Sequence, residues 1–160
     1  MNELELGRMS MSTMKGNDVS VCIKGNGMAI IDWGRSSCKV ELKKDVIFSF
    51  KNTYDYCGTP AHVITITGEN ITYLYCRENK LIELDVRGNS KLKELDLRYN
   101  DIEELDVSNN SDLEYLNIRY NKLKKLDLRK NSKLKSLYYG NNQLSLSDII
   151  GYESINFLKE

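Results

Sequence analysis

Residues 71 to 144 repeat themselves in register when the chain is written in rows of 21 residues. The rows begin at Ile71, Leu92, Leu113 and Leu134, and they align without insertion or deletion. Apolar residues at positions 1, 4 and 6 are followed by Asn at position 9, and the same unit recurs in the second half of each complete row. A fixed period of this size predicts coils that stack along one axis and bury their apolar edges against each other.

The alternation of apolar and polar residues around positions 3 to 7 predicts a short strand in each half-row, and strands of successive rows are expected to pair in parallel. An asparagine follows each strand, where an amide can pair with backbone groups that a tight corner leaves unsatisfied. We therefore expect a hydrogen-bonded ladder formed by Asn79, Asn89, Asn100, Asn110, Asn121, Asn131 and Asn142.

This pattern resembles the leucine-rich repeat, in the short 21-residue class with nested half-repeats that is known mostly from bacterial proteins of the internalin type. The resemblance covers residues 71 to 144. It implies a non-enzymatic recognition solenoid but no particular ligand, and we expect the exposed face to bind protein or carbohydrate. It also implies a secreted or surface-attached protein, although the N-terminus has no apolar segment typical of a signal peptide.

Residues 15 to 69 contain five short β-rich runs separated by Gly, Ser, Asn and Lys, which predict a small antiparallel sandwich. We expect this β cap to cover the first strand edge of the solenoid. The sequence IDWG at residues 31 to 34 resembles the signature of PKD-type β-sandwich domains, from which Arg35 and Ser36 depart. Trp33 is interpreted as an anchor of the cap core.

The remaining segments complete a mainly β fold. Residues 1 to 14 are polar and without periodicity, and we interpret them as a mobile N-terminus or an irregular first strand. Residues 70 to 144 are the repeats. Residues 145 to 160 are expected to cap the far end as a short helix or an irregular segment, because Ser147 and Tyr152 replace the expected Leu and Asn.

Composition excludes several functions. The chain has 23 acidic and 23 basic side chains, and this balance argues against nucleic acid or an anionic membrane as the main partner. No apolar run is long enough to span a bilayer. A single histidine, His62, and the lack of a phosphate loop or nucleophile elbow argue against an enzyme, and no cofactor is expected.

The cysteines and carboxylates indicate no metal site. Cys76 occupies an inward column and is interpreted as a small buried residue. The redox state of the other three stays open between free thiols and a disulfide; these are Cys22, Cys38 and Cys57. The second half-rows present a column of carboxylates that would suit calcium, but arginines two positions later favour a charge-paired, solvated face. The carboxylates are Asp85, Asp106 and Asp127.

Tyrosine and arginine are concentrated on the outward side of the first half-rows, a surface that we call the first-half face. These residue types are enriched in binding hot spots. The candidate ligand-binding residues are Tyr73, Tyr75, Arg77, Asp96, Arg98, Tyr99, Tyr115, Arg119, Tyr120 and Tyr138. The alternative is that they only stabilise the sheet through cross-strand pairs, which would make the repeats a structural spacer or assembly element.

The size of this face limits what it can bind. Four strands about 4.8 Å apart and about 17 Å long give about 340 Å², whereas a standard protein interface takes about 800 Å² per partner. We therefore expect a small glycan or peptide ligand, weak binding, or cooperation with the β cap.

Overall fold

The computed structural model describes residues 7–15, 18–53, 61–153 and 155–159, with only the backbone of 157–159. These ranges are almost entirely β, apart from a 3-10 helix at Leu146–Asp148. No helix within them has the length and hydropathy needed to cross a membrane.

The first five strands of the chain pair with one another in antiparallel fashion, and the last of them continues into the first row. They are β1 (Gly7–Thr13), β2 (Val19–Asp32), β3 (Ser37–Leu42), β4 (Ile47–Asn52) and β5 (His62–Tyr75). Strand β2 pairs with β3 and β4 on one edge and with β5 on the other, while β1 lies between β5 and β6. Alternate residues of β2 are buried, as a period of two requires for a sheet with one face on the core.

The repeats add shorter strands, which pair in parallel except for β6, whose partner is the antiparallel β1. They are β6 (Leu81–Asp85), β7 (Glu94–Asp96), β8 (Tyr115–Asn117), β9 (Leu126–Asp127), β10 (Ser136–Tyr138), β11 (Ile149–Ile150) and β12 (Phe157–Lys159). The end of β5 pairs with β7, and β8, β10 and β12 follow in order. Leu74, Leu95, Leu116 and Leu137 lie opposite each other at the 21-residue spacing. The predicted parallel strands are therefore confirmed.

Cap and repeats share one sheet and one core. Strand β5 runs from His62 to Tyr75 and so crosses the predicted boundary between residues 69 and 70. Buried residues of β1, β2 and β5 and the inward leucines of the repeats form a single hydrophobic cluster, which includes Trp33. The two-layered sandwich and its PKD-like character stay predictions, as does the division into domains.

Residues 7 to 13 form the strand β1, so for them the alternative of a first strand replaces that of a mobile N-terminus. The alternation in GRMSMST places Met9 and Met11 in the core, where both are at most 1% exposed, and Thr13 is buried beside them. A regular strand is not predicted from the sequence because the alternating segment is short and largely polar. Residues 1 to 6 lie outside the described residues.

The helical interpretation of residues 145 to 160 is wrong, except for the three-residue 3-10 turn. Strand β12 pairs with β10 at a spacing of 21 residues, so it begins a fifth row. Strand β11 pairs with β9 at a spacing of 23, with Ile149 opposite Leu126. This local shift of two residues conceals the repeat at Ser147, and the 3-10 turn precedes the point of pairing.

The cysteines that the structure describes are free thiols. Cys76 is fully buried, as its inward column predicts, and burial raises the pKa of its thiol. Cys22 and Cys38 are partly buried and unbridged. Cys57 lies outside the described residues, so its predicted alternatives are not addressed.

Candidate ligand-binding face

Corner asparagines hold the strands of the first half-rows in register. The Asn100 amide donates to the carbonyl oxygens of Cys76 and Leu97 at 2.9 and 2.8 Å. Its Oδ1 accepts from the backbone N–H groups of Asn79 and Leu81, both at 3.0 Å. Asn121 and Asn142 repeat the arrangement one and two rows further on. Each amide therefore ties two successive rows together.

The cap takes the place of a preceding row at the start of this ladder. Asn79 Oδ1 accepts from the Ser20 backbone N–H at 3.0 Å, and Asn79 Nδ2 donates to the Ser20 carbonyl at 2.5 Å. Strand β2 thus binds the first corner as a repeat would. The consequence is that β2 continues the sheet that carries the first-half face.

The eighth position of each row lies in the left-handed region of the backbone. Here φ is 57° at Glu78, 58° at Tyr99, 57° at Tyr120 and 59° at Asn141. A bulky side chain is uncommon in this region. The rings of Tyr99 and Tyr120 stack with centroids 4.3 Å apart and planes 13° apart, yet they remain 49% and 38% exposed. The corner therefore presents a rigid aromatic pair to solvent.

Other rings cover the strands themselves. Tyr73 and Tyr75 stack at 3.9 Å, and the Tyr75 hydroxyl lies 3.5 Å from Glu94 Oε2. Burial raises the pKa of both phenols. Tyr115 and Tyr138 form a tilted pair at 5.5 Å. Tyr73 is only 8% exposed, so its predicted outward position gives a ligand little of its surface.

Asp96 is predicted to face solvent, but its side chain is buried. Its carboxylate is fully buried and accepts two side-chain bonds from Arg98, at 3.0 Å from Nε and 2.8 Å from Nη2. This pairing raises the pKa of the arginine. The buried carboxylate therefore positions Arg98 and offers no surface of its own to a ligand.

No carboxylate stands two residues before Arg77 or Arg119. The guanidinium carbon of Arg77 lies 5.9 Å from the centroid of the Tyr75 ring, and that of Arg119 lies 5.5 Å from Tyr120. Both distances suit a cation–π contact. Asn117 stands two residues before Arg119 and donates to the Tyr115 hydroxyl at 3.0 Å.

The first-half face extends onto the cap, which sequence reasoning missed. Register places Lys24 opposite Tyr73 and Cys22 opposite Tyr75, and residues opposite each other share a face. Strand β4 extends the face further, because Ile47 lies opposite Lys24. Alternation in VSVCIK signals which β2 residues point outward, but not that β5 is their neighbour.

The larger face changes the estimate of area. Seven strands now lie side by side, in the order β4, β2, β5, β7, β8, β10 and β12. The four repeat strands are three residues long, about 10 Å, and the other three are at least about 17 Å long on this face, so at about 4.8 Å per strand they cover about 440 Å². This exceeds the four-strand estimate and is about half of the area that one partner contributes to a standard protein interface.

The repeats also match a known family. A family model described as a leucine-rich repeat matches residues 88–108, which span the end of the first row and most of the second. Over these residues the chain carries a leucine-rich repeat. Among solved structures it is similar to the functional domain of InlJ from Listeria monocytogenes, which includes a cysteine ladder. That match has 26% identity and a TM-score of 0.41, and it covers 58% of this chain and 24% of that one. No curated protein matches the chain.

The second half of each leucine-rich repeat forms a different surface. A shallow groove of about 1290 Å³ runs from Ser10 of β1 to Ile150 of β11. Its side chains are largely charged, and Arg87 pairs with Asp85 at 2.9 Å, as Arg129 does with Asp127 at 2.6 Å. Among the described residues no group of His, Cys, Asp and Glu is arranged to hold a metal ion.

Proposed function

We propose that this leucine-rich repeat protein is a non-enzymatic recognition module that binds a protein or glycan partner through its first-half face. Proteins with these repeats generally bind other proteins. The accessible part of the proposed site comprises Tyr75, Arg77, Arg98, Tyr99, Tyr115, Arg119, Tyr120 and Tyr138. By its resemblance to the bacterial 21-residue class, we also propose a location at the cell surface or outside the cell.

The observation that carries this proposal is the exposed Tyr99–Tyr120 pair. Non-glycine residues in sparsely populated backbone regions cost about 1–3 kcal/mol each and cluster at ligand clamps. Core packing does not account for tyrosine here, because both rings are substantially exposed. The corner also accepts other residues, since Glu78 and Asn141 occupy the same position with the same φ. A function in contact with a partner explains why two rows carry a large aromatic ring.

A structural role is the second candidate. The ring stacks and the Asp96–Arg98 pair are intramolecular, and they stabilise a sheet whether or not anything binds it. In this alternative the solenoid acts as a spacer or assembly element. The two candidates differ in what happens when the exposed rings are removed.

The experiment replaces both rings with the residue that the fourth row already uses. A Tyr99→Asn, Tyr120→Asn variant keeps the left-handed corner, because asparagine tolerates that conformation and Asn141 adopts it. The parent and the variant are immobilised and exposed to panels of purified proteins and glycans. We expect a partner of the parent to bind the variant at least tenfold more weakly, since interface tyrosines each contribute about 1 kcal/mol or more.

The matched control carries two changes on the opposite surface, Lys125→Asn and Ile150→Asn, both at exposed positions lining the groove. This control should bind like the parent. Equal binding by the parent and the tyrosine variant would remove the first-half face as the site. A folded parent that binds nothing in either panel would favour the spacer.

A further inference from the structure

The repeats use a recurrent local ion pair in which Asp precedes Arg by two residues. It occurs at Asp85–Arg87, Asp96–Arg98 and Asp127–Arg129. In each pair one carboxylate oxygen accepts from the arginine backbone N–H, at 3.0, 3.2 and 3.1 Å. The same carboxylate binds the guanidinium side-on through Nε and Nη2. Each of these arginines therefore carries its own counterion.

Arg119 keeps the backbone half of this arrangement and lacks the charged half. Asn117 stands where the carboxylate would be, and its Oδ1 accepts from the Arg119 N–H at 3.3 Å. The guanidinium forms no ion pair among the described residues, and its Nε is buried without a hydrogen-bond partner there. A buried donor left unpaired costs about 1–3 kcal/mol, and more when it is charged.

The surroundings of Arg119 favour an external carboxylate. The guanidinium carbon lies 5.5 Å from the centroid of the Tyr120 ring, next to the exposed tyrosine pair. Arg77 is a second cation without an ion pair among the described residues, and it lies two rows away, about 10 Å along the stack. Lys24 adds a third positive charge on the cap side of the face. Glu94 and the buried Asp96 oppose these charges, and Asp96 is already bound to Arg98.

We propose that Arg119 binds a carboxylate from an acidic segment of a protein partner, with Arg77 as a second cationic contact. This inference rests on the proposed recognition function and specifies its partner. A guanidinium binds carboxylate side-on, as the three internal pairs show for this backbone. A protein source fits a face that is broad and sheet-like, because small-ligand sites are concave and mostly apolar. Its Tyr and Arg content also suits a protein interface.

The decisive variant supplies the missing charge from within the chain. Asn117→Asp should recreate in the third row the side-on pair that Asp96 and Arg98 make in the second. It removes no cation and no ring, so weaker binding would report neutralisation of Arg119. Asn109→Asp is the matched control, because it makes the same charge change at an exposed position of the second half-row, directly before the corner residue Asn110.

The probes are poly-L-glutamate and polygalacturonate, which present carboxylates on a peptide and on a glycan. We expect the parent to bind poly-L-glutamate more tightly than polygalacturonate, with an affinity that falls as salt increases. Asn117→Asp and Arg119→Gln should each weaken poly-L-glutamate binding about tenfold, while Asn109→Asp binds like the parent. Asn117→Asp places a carboxylate opposite that of the buried Asp96, so it should melt somewhat lower than the parent, and Arg119→Gln serves as the test if it does not fold.

Three outcomes would overturn the assignment: no binding of poly-L-glutamate at low salt, binding by Asn117→Asp equal to the parent, or preference for polygalacturonate. The failure of this inference differs from failure of the recognition function. If a panel partner is lost by Tyr99→Asn, Tyr120→Asn and kept by Asn117→Asp, recognition stands and the acidic partner does not. If both variants keep that partner, neither stands.

Discussion

At the scale of single residues, the corner asparagines fall into two kinds that one sequence motif does not distinguish. In the first half-rows the amide uses both its donor and its acceptor, as at Asn121. In the second half-rows Asn131 donates to the carbonyls of Val107 and Asn110, but its Oδ1 is buried without a partner among the described residues. The motif predicts an amide at each corner. Which atoms find partners depends on how closely the next row approaches.

This difference predicts unequal losses on truncation. Asn121→Ala leaves the Ile102 N–H without its partner and takes one of two donors from the Leu97 and Ile118 carbonyls. Asn131→Ala leaves no N–H unpaired, because it takes one of two donors from each of two carbonyls and removes one unpaired oxygen. We expect Asn121→Ala to lower the free energy of unfolding by about 2–4 kcal/mol and Asn131→Ala by about 1–2 kcal/mol. Urea unfolding of both variants, beside the exposed Asn109→Ala, measures this. Equal losses would contradict the asymmetry.

Some features of the candidate site follow from the sequence pattern, and others depend on packing. Period and alternation predict which columns point outward, and they place Tyr99, Tyr120 and Arg119 on one face. They do not reveal that Asp96 is buried, since the similar carboxylates Asp85 and Asp127 stay exposed beside their own arginines. Nor do they show which arginine lacks a carboxylate, although Asn117 two residues before Arg119 was a readable signal.

At the scale of elements, Gly88 allows β1 to approach the repeats closely, although the repeat coil itself does not require a glycine there. Gly88 occupies a position where the next rows have Asn109 and Lys130, so a side chain is compatible with the coil itself. A Cβ at Gly88 would lie 2.3 Å from the Arg8 carbonyl oxygen and 2.9 Å from its nitrogen. The close approach of β1 therefore explains the glycine.

Gly88→Ala should consequently displace β1 and leave the coils intact. We expect a loss of about 1–3 kcal/mol in unfolding free energy, typical of overpacking, and faster hydrogen exchange at the Met9 and Met11 amides. The comparison is Lys130→Ala, which changes the equivalent position two rows later and should have almost no effect. Retained protection of the β1 amides in Gly88→Ala would show that the strand does not depend on this contact.

Prediction at this scale succeeded where a repeat unit is regular and failed where it is modified. The parallel strands follow from the columns of leucine. The last strands were not predicted, because the pairing of β11 is shifted by two residues. One signal was present, since Ile155 stands 21 residues after Leu134. The register between β2 and β5 could not be predicted from the sequence, because antiparallel pairing between distant segments is set by packing and by bulges such as that at Gly25.

At the scale of the whole molecule, the cap and the repeats are joined by a shared strand, a shared sheet and a shared core. Ile23 of β2 lies opposite Leu74, which in turn lies opposite Leu95 of the next row. All three side chains are fully buried in the same cluster. A solenoid edge that would otherwise be exposed is thereby closed by β2, and the proposed binding face gains two strands from the same contact.

One core predicts one unfolding transition. Trp33 is the sole tryptophan of the chain and lies in the cap core, so its fluorescence reports on the cap, while far-UV circular dichroism reports on all strands. We expect the two signals to give the same urea midpoint. Ile23→Ala in the cap and Leu116→Ala in the repeats should each lower both midpoints together, with losses of about 2–5 kcal/mol from the cavities they create. A Trp33 transition that shifts with Ile23→Ala but not with Leu116→Ala would instead establish the cap as a separate domain, and the face would then be divided at β5.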